Sequence, residues 1–167
     1  LFAYHEELDY GWRARLYGYK SYYVPQSIIH HFGSANWGWT GQKFYFLERN
    51  RWHVLLKNYS WRTLSRLLPS LIVLEIIMIG FFAKKKILLK KLRSYGSIIK
   101  STNQIRKDRK IVQSLRKISD DEIMKNFCCN MYIPPESDEA GHMKRFNRIL
   151  IKLSKINGFY ERVRIVE

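Results

Sequence analysis

Residues 2–20 read FAYHEELDYGWRARLYGYK and combine three carboxylates, a Trp-Arg pair and a glycine in one short stretch. Apolar residues recur every four positions from Leu8 to Leu16, which predicts a helix over residues 6–17 with one apolar stripe. Gly18 can adopt the left-handed conformation that commonly ends a helix. The stretch therefore predicts a helix with an acidic first turn that packs through one face.

The composition is that of a strongly basic chain. Its 167 residues include 30 Lys and Arg against 14 Asp and Glu, a formal net charge of +16, which favours phosphate esters, nucleic acid or an acidic membrane surface as partners. The adjacent Cys128 and Cys129 are interpreted as free thiols of a reducing compartment, and they do not support a structural zinc site. Because the chain starts inside a motif, without an initiator Met or a signal-like segment, we expect it to be a piece of a longer protein.

Short extended segments and a helix are predicted next. Residues 21–24 are aromatic and β-branched, which predicts a strand, and residues 28–29 predict a second extended piece. Residues 33–41 are rich in glycine and polar side chains and are predicted to form a loop. The pattern over residues 43–57 predicts an amphipathic helix.

An apolar segment over residues 67–83 is followed by three lysines, and Ser60 is a candidate N-cap upstream of it. About 17 residues at about 1.5 Å each extend about 25 Å, short of a hydrocarbon core of ~30 Å. Glu75 would place a costly carboxylate in the middle of a span. We therefore favour a helix in the headgroup region or packed on its neighbours, with the lysines against anionic lipid, over a helix that spans.

The remaining sequence is predicted to be helical and basic. Residues 87–119 continue the helical pattern, and residues 119–122, Ser-Asp-Asp-Glu, resemble a capping box that starts a short helix. Residues 134–138 indicate a linker, and residues 143–156 predict a last amphipathic helix. The cations between residues 84 and 117 come with no helix-turn-helix pattern, RNP-type motif or zinc ligands, so an anionic membrane is favoured over nucleic acid.

Glu6, Glu7 and Asp9 are the first candidates for chemistry. On a helix Glu6 and Asp9 share a face, while Glu7 projects about 100° away. Close carboxylates raise one another's pKa, which suits a general base. The structural alternative is a solvated acidic first turn that favours the helix dipole, and the spacing alone favours this alternative.

Two further motifs allow a functional and a structural interpretation. His31 follows a predicted strand, where an imidazole can bind metal or phosphate or can simply hydrogen-bond to the backbone. In the run Glu48-Arg49-Asn50-Arg51, one arginine can bind phosphate bidentately, or the arginines can form structural ion pairs with Glu48 or another acidic neighbour.

Taken in order, three motifs resemble one known family. Residues 2–20, residues 23–31 with Val24-Pro25 and His31, and residues 48–51 look like the C-terminal half of a family 2 glycosyltransferase. The resemblance covers about residues 1–69 well and the rest more loosely. It implies the α/β fold class, as the C-terminal part of a GT-A nucleotide-diphospho-sugar transferase fold followed by a mostly α-helical membrane-associated tail.

The resemblance also implies residue roles. Glu7 occupies the position of the catalytic base, which is usually Asp in the family, and Asp9 matches a second acidic position that orients the acceptor or the helix. His31 matches a histidine that helps to bind a divalent metal or the diphosphate. The candidates for substrate binding are Glu6, Arg13, Trp37, Trp39, Arg49 and Arg51. Trp37 and Trp39 can stack on an acceptor sugar or a lipid carrier, or they can equally anchor their loop on the core.

The implied reaction is a single displacement in which Glu7 takes a proton from an acceptor hydroxyl while a nucleoside diphosphate leaves. The cofactor would be Mn²⁺ or Mg²⁺, and the partners a nucleotide-sugar donor, a lipid-linked or polysaccharide acceptor and an anionic membrane at the cytoplasmic face of the cell. In the family the donor-binding half precedes the acidic motif, so we expect this chain to be inactive alone.

The predicted organisation is an acceptor-side catalytic part over residues 1–58, a membrane-associated segment over 59–93, and a basic helical tail over 94–167 with a linker near 133–140. The alternative function is a non-enzymatic basic module that docks on anionic membrane or nucleic acid.

Overall fold

The structure, a computed structural model, describes residues 3–30, 40–125, 127 and 140–158. These residues form helices connected by turns and irregular segments. The helices are α1 (Glu6–Leu16), α2 (Gly41–Asn58), α3 (Trp61–Lys84), α4 (Leu88–Lys100), α5 (Thr102–Ser114), α6 (Asp120–Met124) and α7 (Ala140–Ile156).

The predicted α/β fold class is wrong, because the part of the chain that the structure describes is all-α and contains no strand. Both predicted strands lie in an irregular segment, where Ser27 N–H donates to the carbonyl of Val24 at 3.0 Å. Tyr22 and Tyr23 are 79% and 88% exposed. Strand propensity reflects the fit of a side chain to a half-buried pleated surface, and these side chains cover no such surface. The GT-A assignment, which requires a sheet, is corrected with it.

Helix α1 confirms the helix predicted over the opening motif. It ends as expected: Gly18 has φ +91°, its N–H donates to the carbonyl of Arg15 at 3.0 Å, and Tyr19 N–H donates to that of Ala14 at 2.9 Å. The apolar stripe is shorter than predicted, since Leu8 is 47% exposed. The buried face of α1 starts instead at a carboxylate, Asp9.

The described contacts group into two compact units, of which the first comprises residues 1–59 and 77–117. Its central element is α2, which packs against α1, α4 and α5. Trp12 of α1 stacks on Tyr59 with ring centroids 4.2 Å apart, and Phe44 of α2 meets Phe81 and Phe82 edge to face at 5.3 and 5.8 Å. Aromatic pairs of this kind add to the burial of apolar area.

Side chains of α5 bind the carboxyl end of α2. Arg109 donates to the carbonyls of Leu56 and Tyr59 at 2.6 and 2.7 Å, and Gln113 donates to those of Lys57 and Asn58 at 3.1 and 2.9 Å. The last carbonyls of a helix have no partner within the helix, so these donors satisfy them and hold α5 against α2.

The second unit comprises residues 60–76 and 118–167. Ser60 caps α3 as predicted, since its hydroxyl accepts from Thr63 N–H at 3.1 Å. The carboxylate of Asp120 accepts from Ser60 N–H at 2.7 Å, and Asp121 pairs with Arg66 at 2.8 Å. A hydrogen bond and an ion pair therefore connect the first turns of α3 and α6.

Two other helix starts are close to their predicted positions. The hydroxyl of Ser119 accepts from Glu122 N–H at 3.2 Å, as the capping-box pattern indicated. Helix α7 spans Ala140–Ile156, three residues more at its start than predicted. The predicted linker over residues 134–138 and the two cysteines lie outside the described residues.

Helix α3 is long and apolar enough, by length and composition, to cross a membrane. Its 24 residues extend about 36 Å at about 1.5 Å each. Only 17% of its most apolar window is buried, unlike the core helix of a soluble protein. The predicted apolar segment over residues 67–83 therefore lies within one continuous helix that exposes much of its apolar surface.

Candidate functional site

The amino end of α1 carries the carboxylates that the sequence indicated for acid–base chemistry. Glu6 and Glu7 are exposed, whereas Asp9 is only 5% exposed. The helix therefore separates the three groups: two face solvent and one lies in the interior of the first unit.

The carboxylate of Asp9 joins α1 to α2. Its Oδ2 accepts from Lys57 Nζ at 2.8 Å and from Arg13 Nε at 3.2 Å, and its Oδ1 accepts from Asn58 Nδ2 at 2.8 Å. Burial acts to raise the pKa of Asp9, but the hydrogen bonds from Lys57 and Asn58 and the nearby positive charges outweigh it, so the pKa is lowered below its ordinary value. A carboxylate held in this way stays ionised and fixes α1 against α2. The catalytic role that the resemblance implies for Asp9 stays a prediction.

A left-handed turn leads into α1. Ala3, Tyr4 and His5 have φ values of +50°, +67° and +64°, a conformation that costs a non-glycine residue roughly 1–2 kcal/mol. Asn50 of α2, which is fully buried, donates from Nδ2 to the carbonyls of Ala3 and Tyr4 at 2.7 and 2.8 Å. Arg49 Nε donates to Asn50 Oδ1 at 3.0 Å and fixes the amide. The strained turn is therefore held by α2, and it sets the position of the two exposed glutamates.

His5 is the last residue of this turn and directly precedes the two exposed glutamates. Burial lowers the pKa of its imidazole, and the charge of Arg51 lowers it further, against the opposing charge of Glu7. The ring is therefore neutral near neutral pH, next to an exposed carboxylate. His5 was not among the sequence-predicted site residues, although its position directly before the Glu-Glu pair was a signal.

The Glu48–Arg51 motif is engaged within the protein. Glu48 is 4% exposed and accepts from Arg51 at 2.8 Å and from Lys91 of α4. The guanidinium of Arg51 also lies 5.3 Å from the ring of Trp52, and that of Arg49 lies 4.8 Å from the ring of Phe46. The pair of Arg51 with Glu48 corresponds to the structural ion pair that the sequence left open as an alternative to phosphate binding, whereas Arg49 contacts Asn50 and aromatic rings.

The other sequence-predicted residues are placed as follows. Arg13 is a partner of Asp9 and is partly exposed. His31, Trp37 and Trp39 lie outside the described residues. Within the described ranges, no group of three or more His, Cys, Asp or Glu side chains could hold a metal ion. His31, the residue for which the resemblance implies metal binding, lies outside those ranges, so the divalent metal stays a prediction.

Comparisons of the chain with protein-family models, with curated proteins and with solved structures found no match.

Proposed function

We propose that this chain supplies the acceptor-activating helix and the membrane-associated part of an inverting glycosyltransferase. The enzyme uses a nucleotide-sugar donor and a lipid-linked or polysaccharide acceptor at the cytoplasmic face of the membrane. One observation carries the proposal: the exposed Glu7 is held at the amino end of a helix that is fixed to its neighbours along its length.

A general base must first be held within hydrogen-bonding distance of the proton that it removes. Asn50 holds the turn before α1, and Asp9 ties the first turns of the helix to α2. At the other end, Lys117 N–H donates to the carbonyl of Leu16 at 2.8 Å. These contacts leave the Glu7 carboxylate open to solvent on a rigid support, where an acceptor hydroxyl can reach it.

The chemistry follows from this placement. Glu7 takes the proton of the acceptor hydroxyl while the oxygen of that hydroxyl forms a bond to the anomeric carbon of the donor sugar. The bond from that carbon to the diphosphate oxygen breaks on the opposite face, so the configuration inverts and the nucleoside diphosphate leaves with the electron pair. The proton on Glu7 then passes to solvent.

Membrane association is supported by α3 and by the residues that follow it. The helix exposes much of its apolar surface, and Lys84, Lys85 and Lys86 at its end are all exposed. Cations beside an apolar helix are attracted to anionic headgroups.

The test of the proposed base is Glu7→Gln in the full-length gene product. Loss of a general base lowers the rate by about 100-fold or more, so transfer of labelled sugar from a panel of nucleotide-sugar donors should fall by at least that factor. The melting temperature should not change, because Glu7 is exposed. Glu122→Gln, an equal change of charge at an exposed position of α6, should keep full activity. Full activity of Glu7→Gln would contradict the proposal.

A second candidate function, a non-enzymatic module that docks on anionic membrane, is favoured by the exposed lysines after α3. In that case Glu7→Gln would leave function intact. Replacing Lys84, Lys85 and Lys86 by glutamine would instead release the chain from vesicles containing anionic lipid.

A further inference from the structure

A cleft opens between the first turns of α2 and one face of α4, within the first unit. It has a volume of about 560 Å³. The residues that line it are Gln42, Tyr45, Lys90, Arg93, Gly96, Ser97 and Lys100.

The lining is cationic and holds no carboxylate. Lys90 Nζ lies 3.5 Å from Gln42 Oε1, and Arg93 and Lys100 are exposed and have no carboxylate partner among the described residues. Lys91, which follows Lys90 on α4, is by contrast buried, and its charge is neutralised by Glu48. The positive charge in the cleft is therefore uncompensated, which favours an anion.

The hydrogen-bonding groups of the cleft suit phosphate. Arg93 can donate two parallel N–H groups to phosphate oxygens, and Lys90 and Lys100 add point charges. The hydroxyls of Tyr45 and Ser97 are further donors. The cleft also lies at the amino end of α2, an 18-residue helix whose dipole attracts negative charge.

An apolar strip runs beside this cationic face of α4. Successive helix residues are about 100° apart, which places Leu89, Leu92 and Ile99 directly next to the lining residues. These three side chains are 60%, 55% and 72% exposed. A soluble phosphate would leave the strip in water, whereas a lipid would cover it with its hydrocarbon chain while its headgroup occupies the cleft.

We propose that the cleft between α2 and α4 binds the phosphate headgroup of a membrane lipid. The lipid chain lies along Leu89, Leu92 and Ile99. The assignment goes beyond the proposed function, because it holds whether or not Glu7 acts as a base.

The test is calorimetric titration of the full chain in detergent micelles with short-chain phosphatidic acid. Charge-assisted hydrogen bonds to phosphate are strong, so the double variant R93A/K100A should bind at least about tenfold more weakly. The matched control R106A/K110A removes the same charge from exposed positions of α5 and should bind like the wild type.

A second variant blocks the cleft without a change of charge. A Cβ added at Gly96 would meet no heavy atom within 4 Å, and Gly96 lines the cleft, so we expect Gly96→Leu to fold and to occupy part of the cleft. It should weaken binding of the short-chain lipid and leave the helical circular dichroism unchanged.

Three results would overturn the proposal. The first is no binding of the lipid by the wild-type chain. The second is equal weakening in R93A/K100A and R106A/K110A, which would mean general electrostatic attraction. The third is binding of inorganic pyrophosphate as tight as that of the lipid, which would assign the cleft to a soluble phosphate.

Discussion

The turn before α1 offers a test of how the chain positions its exposed glutamates. Asn50→Leu keeps the approximate shape of the side chain but removes both donors to the carbonyls of Ala3 and Tyr4. Two net hydrogen bonds are worth roughly 1–3 kcal/mol in total. Against this, each left-handed residue that relaxes when the turn is released regains strain of about 1–2 kcal/mol, so the relaxation of one or two of them offsets the lost hydrogen bonds.

The two contributions oppose each other, so we expect the variant to change global stability little and local order strongly. The amide of Asp9, which donates to the carbonyl of His5 at 2.9 Å, reports on that order. In Asn50→Leu its hydrogen exchange should become roughly ten- to a hundredfold faster, while the melting temperature shifts by only a few degrees.

The measurement is native-state hydrogen exchange followed by mass spectrometry of the amino-terminal peptide. Asn103→Leu, at an exposed position of α5, is the matched control and should not alter exchange in that peptide. Unchanged exchange in Asn50→Leu would refute the argument that Asn50 holds the turn. The proposed role of Glu7 as a base predicts, for the full-length gene product, that the same variant lowers kcat more than it raises KM, because the acceptor would still bind while the base is misplaced.

Two other predictions concern the stability of the first unit. Lys91→Met leaves the buried carboxylate of Glu48 with Arg51 as its one cation, so the free energy of unfolding in urea should fall by about 3–5 kcal/mol. Adding Glu48→Gln to this variant removes the buried charge and should recover most of the lost stability. Additive losses in the double variant would contradict this. Burial lowers the pKa of His5, and that of His53 in α2, below the ordinary 6.5, so as pH falls from about 6.5 the unfolded chain binds protons that the folded chain does not, and stability is lost. The pKa of Asp9 is lowered below 3.8, and its contribution is lost only at still lower pH. Urea unfolding at a series of pH values should show both losses, and the loss below about pH 6.5 should be smaller in His5→Gln than in the wild type. An equal loss in the variant would show that His5 does not titrate as described.

The sequence predicted those features of the fold that depend on neighbouring residues. The helical period gave α1 and α2, and the short side chains of Ser60 and Ser119 gave two helix starts, because a cap involves residues only three positions apart. Gly18 gave the end of α1 for the same reason.

The contacts between helices could not be read from the sequence in this way. Asn50 acts on carbonyls 46 and 47 residues away, and Lys91 reaches Glu48 across 43 residues. Tyr22 and Tyr23 have high strand propensity, yet a strand also needs a partner, which local propensity does not supply.

The hydrogen bonds from α5 side chains to the carboxyl end of α2 have a consequence for folding during protein synthesis. Residues 109–116 follow α3 in the chain, so the ribosome synthesises the apolar helix before it makes the donors that complete α2. During that interval the last carbonyls of α2 are satisfied only by water. The first unit therefore closes after translation has passed the apolar helix, and a chain truncated after α4 leaves it open.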